Sequence, residues 1–340
     1  MSIKLSICIP TYNRAEYLPD LFDSIFSQVN NDNEDLLEVV VSDNASGDDT
    51  IEVVNSYKNK FKNFVYFRWD RNMGADANFL KVVELSKGEY CWLMGSDDKI
   101  LDNGIDRVLE FLNKNKGISG LSVNRKAYNK NFQFEIKIKP IIKDAKKDII
   151  LKDFNVFLEL FHYWGYISGQ VIRRELWNKV INNTGEKIKE YFNAYVHVYV
   201  ISRMFLENGC WGYIHSPCVG WRSDNDSFLS DLGTIKRMKL DVVGYEKILR
   251  DLFGSDSRVY KEINKEILLA HIRNHLFEIK FNSRDLKFKD YIKIFNILHP
   301  YYKRYLIFWF FHVPLLFCPL FVLKIIKKIY RLTIKRLLAN

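Results

Sequence analysis

Tyr90-Cys91-Trp92-Leu93-Met94-Gly95-Ser96-Asp97-Asp98 is a short apolar run that ends in two adjacent carboxylates. A run of this length and composition reads as a buried strand. Acids placed directly after it project from the carboxyl edge of a sheet, where α/β proteins bind their ligands. Two neighbouring carboxylates in a cleft repel each other unless a positive group lies between them, most often a divalent cation. Taken alone the pair reads more readily as a solvated turn, so the preceding ninety residues decide.

Those residues repeat one pattern. Ile3–Ile9 alternates with period two and stops at Pro10; Pro10-Thr11-Tyr12-Asn13-Arg14 then leads into a helix carrying Tyr17, Leu18, Leu21, Phe22, Ile25 and Phe26. A second run, Leu36–Val41, ends in Ser42-Asp43-Asn44-Ala45-Ser46-Gly47-Asp48-Asp49-Thr50 before a helix near 50–60. A third, Phe64–Trp69, is followed by Arg71-Asn72-Met73-Gly74 and a helix over 76–86. Strands alternating with helices predict a parallel sheet covered on both faces. Every polar cluster falls after a strand and before a helix, so Thr11, Asp43, Asn72 and Asp97 are expected to meet along one edge. A carboxylate such as Asp43 can accept from a base's ring N–H, Tyr12 can lie against the base, and helix N-termini favour phosphate. Neither a Walker loop nor Gly-x-Gly-x-x-Gly occurs, which argues against an ATPase or a nicotinamide enzyme. Asp48 and Asp49 read as helix caps.

The strings CIPTYNR (8–14), VVVSDNASGDDT (39–50), NMGADANF (72–79) and YCWLMGSDD (90–98) resemble, in order and spacing, the signatures of family 2 glycosyltransferases. Gly95–Asp98 and Arg222–Phe228 (RSDNDSF) resemble strings of the abequosyltransferase-like enzymes of bacterial O-antigen assembly. The resemblance implies an α/β GT-A (nucleotide-diphospho-sugar transferase, Rossmann-like) fold with a helical C-terminal extension. It also implies a donor site built from Pro10, Thr11, Tyr12, Arg14, Asp43, Asn44, Asn72, Gly74, Asn78, Ser96, Asp98 and Arg222. In it Thr11 and Tyr12 lie beside the nucleoside, Asp43 binds the base, and Asn72 and Asn78 line the pocket. Asp97 takes the position of the acid that holds Mg²⁺ or Mn²⁺, with Asp98 beside it. Asp224 falls where many relatives carry a metal-side histidine. One departure stands out: many members have Asp-x-Asp, and this chain has Gly95-Ser96-Asp97.

The second half is read for an acceptor. A helix is expected at 103–115, a strand at 118–123, a Lys-rich hairpin or long loop over 124–150 and a helix over 153–161. Gly165–Ile172 reads as a strand or turn lining the cleft, its glycines permitting close approach of backbone. A further helix is expected from Arg173, another over 191–206, and a strand at Trp211–Ile214 followed by the segment Pro217–Trp221. Glycosyl transfer needs a base for the acceptor hydroxyl, tolerance of positive charge at the anomeric carbon, and neutralisation of the departing diphosphate. The family's base is an Asp in a Glu-Asp string, followed six residues on by Arg and twelve on by Gly. Arg203 and Gly209 put that frame on Val196-His197, so His197 becomes the catalytic candidate. A packed core histidine is the competing reading, with Glu190 and Asp226 in reserve. Arg222 could reach the diphosphate as a paired donor, or Arg222–Ser227 could be a polar surface turn.

The chain has 340 residues and 48% hydrophobic content, ample for a large α/β domain. Its formal charge of +10 would suggest nucleic acid until it is located. Residues 301–340 hold eight of the 51 Lys and Arg and no acid, leaving 43 basic against 41 acidic residues elsewhere. No nucleic-acid partner is therefore expected. Residues 305–323 are uncharged apart from His312 and rich in Phe and Trp. Residues 320–338 then interleave Lys and Arg with Ile, Leu and Val at helical spacing. Such a basic amphipathic helix lies on anionic membrane surfaces. A span, a core helix or a homo-oligomer contact are the other readings; Pro314 and Pro319 argue against a span. Five cysteines without ligand spacing and a strand that begins at once predict a reducing, cytoplasmic setting, peripheral to the inner membrane.

The expected organisation is a catalytic domain over 1–230 (nucleotide half 1–105, acceptor half 106–230), a helical extension over 231–300, and a membrane-association tail over 301–340. The expected activity is inverting transfer from a nucleotide-sugar donor to an undecaprenyl-diphosphate-linked saccharide. Two rivals stand beside it. A sugar nucleotidyltransferase should show a Gly-rich basic loop after its first strand, which Pro10–Arg14 lacks. A non-catalytic membrane-bound partner with a decayed site is motivated by Gly95 and the absent Glu-Asp string.

Overall fold

A computed structural model describes residues 2–223, 225, 227–282, 286–323 and 325, the side chains at 227, 228, 231 and 282 aside. Asp224, Asp226 and, of the basic helix expected over 320–338, residues 324 and 326–338 lie outside the described residues. The chain divides into two compact units, Met1–Asp226 and Ser227–Asn340.

The first unit begins as the alternation predicts: β1 (Leu5–Thr11), α1 (Leu18–Phe26), β2 (Leu37–Asp43), α2 (Thr50–Tyr57), β3 (Phe64–Arg68), α3 (Ala75–Glu84) and β4 (Tyr90–Leu93). β1 and β2 are buried along their whole length, as strands sandwiched between helices must be. There follow β5 (Lys99–Ile100), α4 (Gly104–Lys114), β6 (Gly120–Tyr128), β7 (Glu135–Ile136), β8 (Ile149–Leu151) and α5 (Asn155–Leu160). β9 (Gln170–Arg173), α6 (Arg174–Thr184), α7 (Val196–Asn208) and β10 (Trp211–Arg222) complete the unit. The sheet order is β3-β2-β1-β4-β9-β6-β10-β5, with β7 on β6 and β8 on β10.

The sheet is parallel through β3, β2, β1 and β4, and again between β6 and β10. β9 enters between β4 and β6 antiparallel to both. Short 3₁₀ turns at Tyr163–Gly165 and Ile167–Gly169 deliver the chain directly into β9. With no crossover helix just before it, nothing returns the chain to the far edge, and the strand runs the opposite way. The strand expected at 211–214 and the segment after it form one long strand, β10, bulged around Pro217. Part of the Lys-rich stretch closes as the β6–β7 hairpin.

The core fills both faces of this sheet, with Trp92, Trp164, Trp177 and Trp211 all fully enclosed. Tyr163 presses against the backbone at Gly169, where an added Cβ would lie 2.5 Å from its hydroxyl. That glycine allows the cleft-lining segment to pass so close to the ring.

The second unit is helical: α8 (Ser227–Leu232), α9 (Thr234–Phe253), α10 (Arg258–Ile267), α11 (Arg273–Asn282), α12 (Phe288–Tyr302) and α13 (Val313–Phe317). A π-helical turn at Leu268–Ile272 joins α10 to α11. Among the described residues no helix is long and apolar enough to cross a membrane.

Candidate active site

The loops after β1, β2 and β3 are stitched into one surface. Asn13 N–H donates to Ser46 Oγ at 2.9 Å, and Gly47 N–H donates to Asn13 Oδ1 at 2.7 Å. Asn44 Nδ2 donates to Asn72 Oδ1 at 2.8 Å, while Asn44 Oδ1 accepts Met73 N–H at 2.8 Å. Asn13 and Ala45 hold positive φ of 50° and 62° in these loops. Non-glycine residues in that region carry backbone strain, which gathers at functional sites.

Asp43 sits fully buried at the end of β2. Its Oδ1 accepts the N–H and hydroxyl of Ser46 at 2.8 and 2.6 Å; its Oδ2 accepts the Tyr66 hydroxyl at 2.9 Å and lies 3.3 Å from Arg68 Nε. Tyr12 is 41% exposed, the form expected of a ring offered to a planar ligand. Thr11 Oγ1 is buried with no hydrogen-bond partner among the described residues, an orphan polar atom at the same edge. Pro10 lies within buried β1, paired with Ser42, and Gly74, at φ +85°, leads into α3. Asn78, expected to line the pocket, is instead a brace. It accepts from Ser42 Oγ and Trp69 Nε1 and donates to the carbonyls of Thr11 and Ser42.

The two carboxylates after β4 have different surroundings. Asp98 is buried; its Oδ2 accepts the hydroxyls of Tyr166 at 2.6 Å and Ser168 at 2.5 Å, and its Oδ1 accepts Arg222 N–H at 3.0 Å. Burial, then the neighbouring Asp97 charge, push its pKa to about 7 against those donors. Asp97 is partly exposed, and Asn225 Nδ2 donates to its Oδ2 at 2.7 Å. Burial also raises Asp97, opposed by the charge of Arg14. Both protein-facing oxygens of Asp98 are therefore occupied, which makes it an organiser of the cleft wall and leaves Asp97 as the acid suited to a cation. Oxygen donors in a site that raises both acids fit a hard divalent ion. The missing first acid also has a steric reason. A Cβ at Gly95 would meet Ser168 Oγ at 3.0 Å, Asp97 Oδ1 at 3.2 Å and Asp98 Oδ2 at 3.4 Å. Ser96, between them, is buried.

Arg222 does not reach out for phosphate. It is 5% exposed, with Nε donating to Asp97 O at 2.8 Å, Nη2 to Asp20 at 2.7 Å and Nη1 to Lys130 O. Its guanidinium lies over the rings of Tyr17 and Phe132. Arg14 is the cation that faces the site, donating to Asn225 Oδ1 at 3.1 Å. Thus Arg14, Asn225 and Asp97 join the first βα loop, the end of β10 and the acid after β4.

His197 is 1% exposed, its ring edge-on to Phe79 at 5.3 Å and its Nε2 3.4 Å from Gly165 O. Burial lowers its pKa to about 4, so it is a neutral, enclosed imidazole at neutral pH. The start of α7 is held by a residue that local pattern did not single out. Asp76 Oδ2 accepts Ala194 N–H at 2.7 Å and Asp76 Oδ1 accepts Val196 N–H at 3.0 Å. Burial raises the Asp76 pKa to about 6. Ala194 takes a φ of +70° to present its N–H there.

A cleft of this construction, fed by four βα loops and floored by an acid pair, defines a nucleotide-sugar transferase fold. The sequence profile of Glycosyl transferase family 2 matches residues 6–176, and the chain belongs to that family. Abequosyltransferase RfbV of Salmonella typhimurium is 30% identical over 277 residues, covering 78% of this chain and 80% of that one. The GalNAc(5)-diNAcBac-PP-undecaprenol beta-1,3-glucosyltransferase of Campylobacter jejuni is 28% identical over 155 residues, 45% of this chain and 49% of its own length. Among solved structures, S. aureus TarS 1–349 in complex with UDP-GlcNAc superposes with a TM-score of 0.62 at 16% identity, covering 88% of this chain and 80% of TarS. This last likeness bears on the fold alone. Membership in a glycosyltransferase family takes the place of the nucleotidyltransferase reading.

Proposed function

We propose that the protein transfers one sugar, with inversion, from a nucleotide-sugar donor to a lipid-linked (undecaprenyl-diphosphate) saccharide during bacterial O-antigen or capsular polysaccharide synthesis. The observation that carries this is the Arg14–Asn225–Asp97 connection, which joins the donor-side loops to the acid of Gly95-Ser96-Asp97-Asp98. In this reading Tyr12 lies against the base, Asp43 and its Tyr66 and Arg68 partners read the base edge, and Arg14 faces the diphosphate. Asp97 would hold Mg²⁺ or Mn²⁺, whose charge neutralises the departing nucleoside diphosphate.

Two groups at the entry of α7 compete for the acceptor's proton. His197 holds the frame position of the family's acid. Asp76, with a pKa of about 6, is better matched to a base working near neutrality. The pH–rate profile separates them: a His197→Gln enzyme that keeps its acid limb assigns the proton to Asp76.

One relative is named an abequosyltransferase, and the other is named for a PP-undecaprenol-linked saccharide; the second name supports a bilayer-borne acceptor. Leu306, Phe310 and Phe321 are 75%, 78% and 65% exposed, apolar surface of the kind that enters a headgroup layer. A cytoplasmic enzyme resting on the inner membrane follows from this reading. The test is incubation of purified protein with UDP-, GDP-, CDP- and dTDP-sugars, with and without Mn²⁺. Metal-dependent release of nucleoside diphosphate or monophosphate that Asp97→Ala abolishes is the expected result. Release unchanged by Asp97→Ala would sink it, and no turnover of any donor would favour the decayed-site partner.

A further inference from the structure

α9 and the α10–α11 helix face each other across a polar cluster in the helical unit. Asp241, on α9, is fully buried. Its Oδ2 lies 3.0 Å from His271 Nε2 and 3.3 Å from His275 Nδ1. The two imidazoles are four residues apart along one helix, with ring centroids 4.5 Å apart. They are so placed because residues at i and i+4 share a helical face, and His271 falls within the π-helical turn at 268–272. Such turns recur at functional sites because the extra residue shifts the side chains that follow.

We propose that Asp241, His271 and His275 form a binding site for a borderline transition-metal ion, Zn²⁺ in the first instance. One oxygen and two imidazole nitrogens, all within 4.8 Å of one another, are a donor set that suits Zn²⁺ and disfavours Mg²⁺. The observed oxygen–nitrogen separations approach the edge of a tetrahedron with bonds of about 2.0–2.1 Å, which is roughly 3.3 Å. The remaining Asp241 oxygen, Oδ1, is held by Arg237 one helical turn earlier. This is the outer contact that fixes a metal-ligating carboxylate in orientation. The histidine side chains are 20% and 21% exposed, so solvent reaches the cluster. Bound there, it pins α9 to the α10–α11 helix. The site lies in the second unit, outside Met1–Asp226, and differs in donor chemistry from the carboxylate site at Asp97. The inference does not depend on the proposed transfer reaction.

The competitor for the same place is a proton shared between the histidines and Asp241. The experiment is a zinc titration of full-length, metal-stripped protein against a chromogenic chelator, carried out on the Asp97→Asn chain so that the cleft carboxylate contributes nothing. The expected result is one equivalent of Zn²⁺ per chain that millimolar Mg²⁺ does not displace. His271→Ala and His275→Ala should each weaken it about tenfold or more, with circular dichroism unchanged. His271→Gln, which keeps a polar head and cannot replace the imidazole, should behave like the alanine variant. Cobalt substitution provides a spectrum free of thiolate charge transfer, excluding the five cysteines as ligands. Absence of stoichiometric binding, or binding untouched by both histidine variants, would overturn the assignment in favour of the protonated cluster.

Discussion

Asn225 donates its side-chain N–H to Asp97 Oδ2 at 2.7 Å while its own carbonyl accepts from Arg14. One amide therefore orients the acid proposed to hold the metal and joins it to the first βα loop. Outer groups of this kind fix the direction of a ligand's lone pairs. Asn225→Ala should lower metal-dependent transfer by roughly 10- to 100-fold and raise the Mn²⁺ concentration for half-maximal rate. Steady-state kinetics across a Mn²⁺ series check this; an unchanged metal dependence would show that Asp97 is oriented without it.

Gly95→Asp restores the acid that many family members carry, and the expected result is a weaker protein. Its Cβ would stand within 3.4 Å of three oxygen atoms. The new carboxylate would join two acids whose pKa values are already raised. Crowding should cost about 1–3 kcal/mol. A thermal melt without metal should show the loss, and added Mn²⁺ should recover part of it, because a cation offsets the extra charge.

Arg222→Lys should destabilise the first unit by roughly 2 kcal/mol or more. A lysine ammonium cannot serve the Asp97 carbonyl, the Lys130 carbonyl and Asp20 from one planar fork. Chemical denaturation measures the change, and a loss confined to donor affinity with stability intact would return Arg222 to the diphosphate.

Two buried groups give the stability of the metal-free protein opposite pH slopes. Asp98 is raised from 3.8 to about 7. The folded state binds its proton more tightly, so its contribution is full below about pH 4 and is lost as pH rises through 7. His197 is lowered from 6.5 to about 4. Its contribution is full above about pH 6.5 and is lost as pH falls towards 4. Unfolding free energies between pH 4.5 and 8 should therefore fall less steeply in Asp98→Asn, the remaining fall belonging to Asp76 and Asp97, and should lose the rising component in His197→Gln.

Ala194→Gly tests the strain at the entry of α7. Its φ of +70° suits glycine, whose left-handed conformation carries no Cβ penalty. The variant should be about as stable as the parent or up to about 1 kcal/mol more so, despite the extra freedom of its unfolded chain. A clear loss of stability would mean that the Cβ makes packing contacts that outweigh the strain.

The donor half was legible because its information is local. Alternating strands, helix-spaced apolar residues and polar clusters of Thr11, Asp43, Asn72 and Asp97 repeat in one order, and a βαβ chain can return its loops to only one sheet edge. The strand or turn expected over 165–172 contains most of β9, but its antiparallel direction escaped because that depends on how the chain enters the sheet, which no periodicity encodes. The roles of Asp98, Arg222 and Asn78 were misjudged for a related reason. A motif marks which residues are near a ligand, but a carboxylate or guanidinium is used up by whatever donors and acceptors the fold brings to it. Tyr166 and Ser168 meet Asp98 across 68 and 70 residues, and Asp20 meets Arg222 across 202. The glycines at 165 and 169 were the one local sign that this segment approaches the cleft closely.

The amino-acid sequence by itself determined the alternation of strands and helices, the shared edge of the polar loops, the family and the place of Asp97. Tertiary structure alone decided that Asp98 is taken up by Tyr166, Ser168 and Arg222, that Asn225 orients Asp97, that Asp76 holds the entry of α7, and that His197 is sheathed. The division has one physical cause. Periodicity and turn chemistry act over a few neighbouring residues, whereas hydrogen-bond saturation and burial are settled by partners that only folding brings within three ångströms.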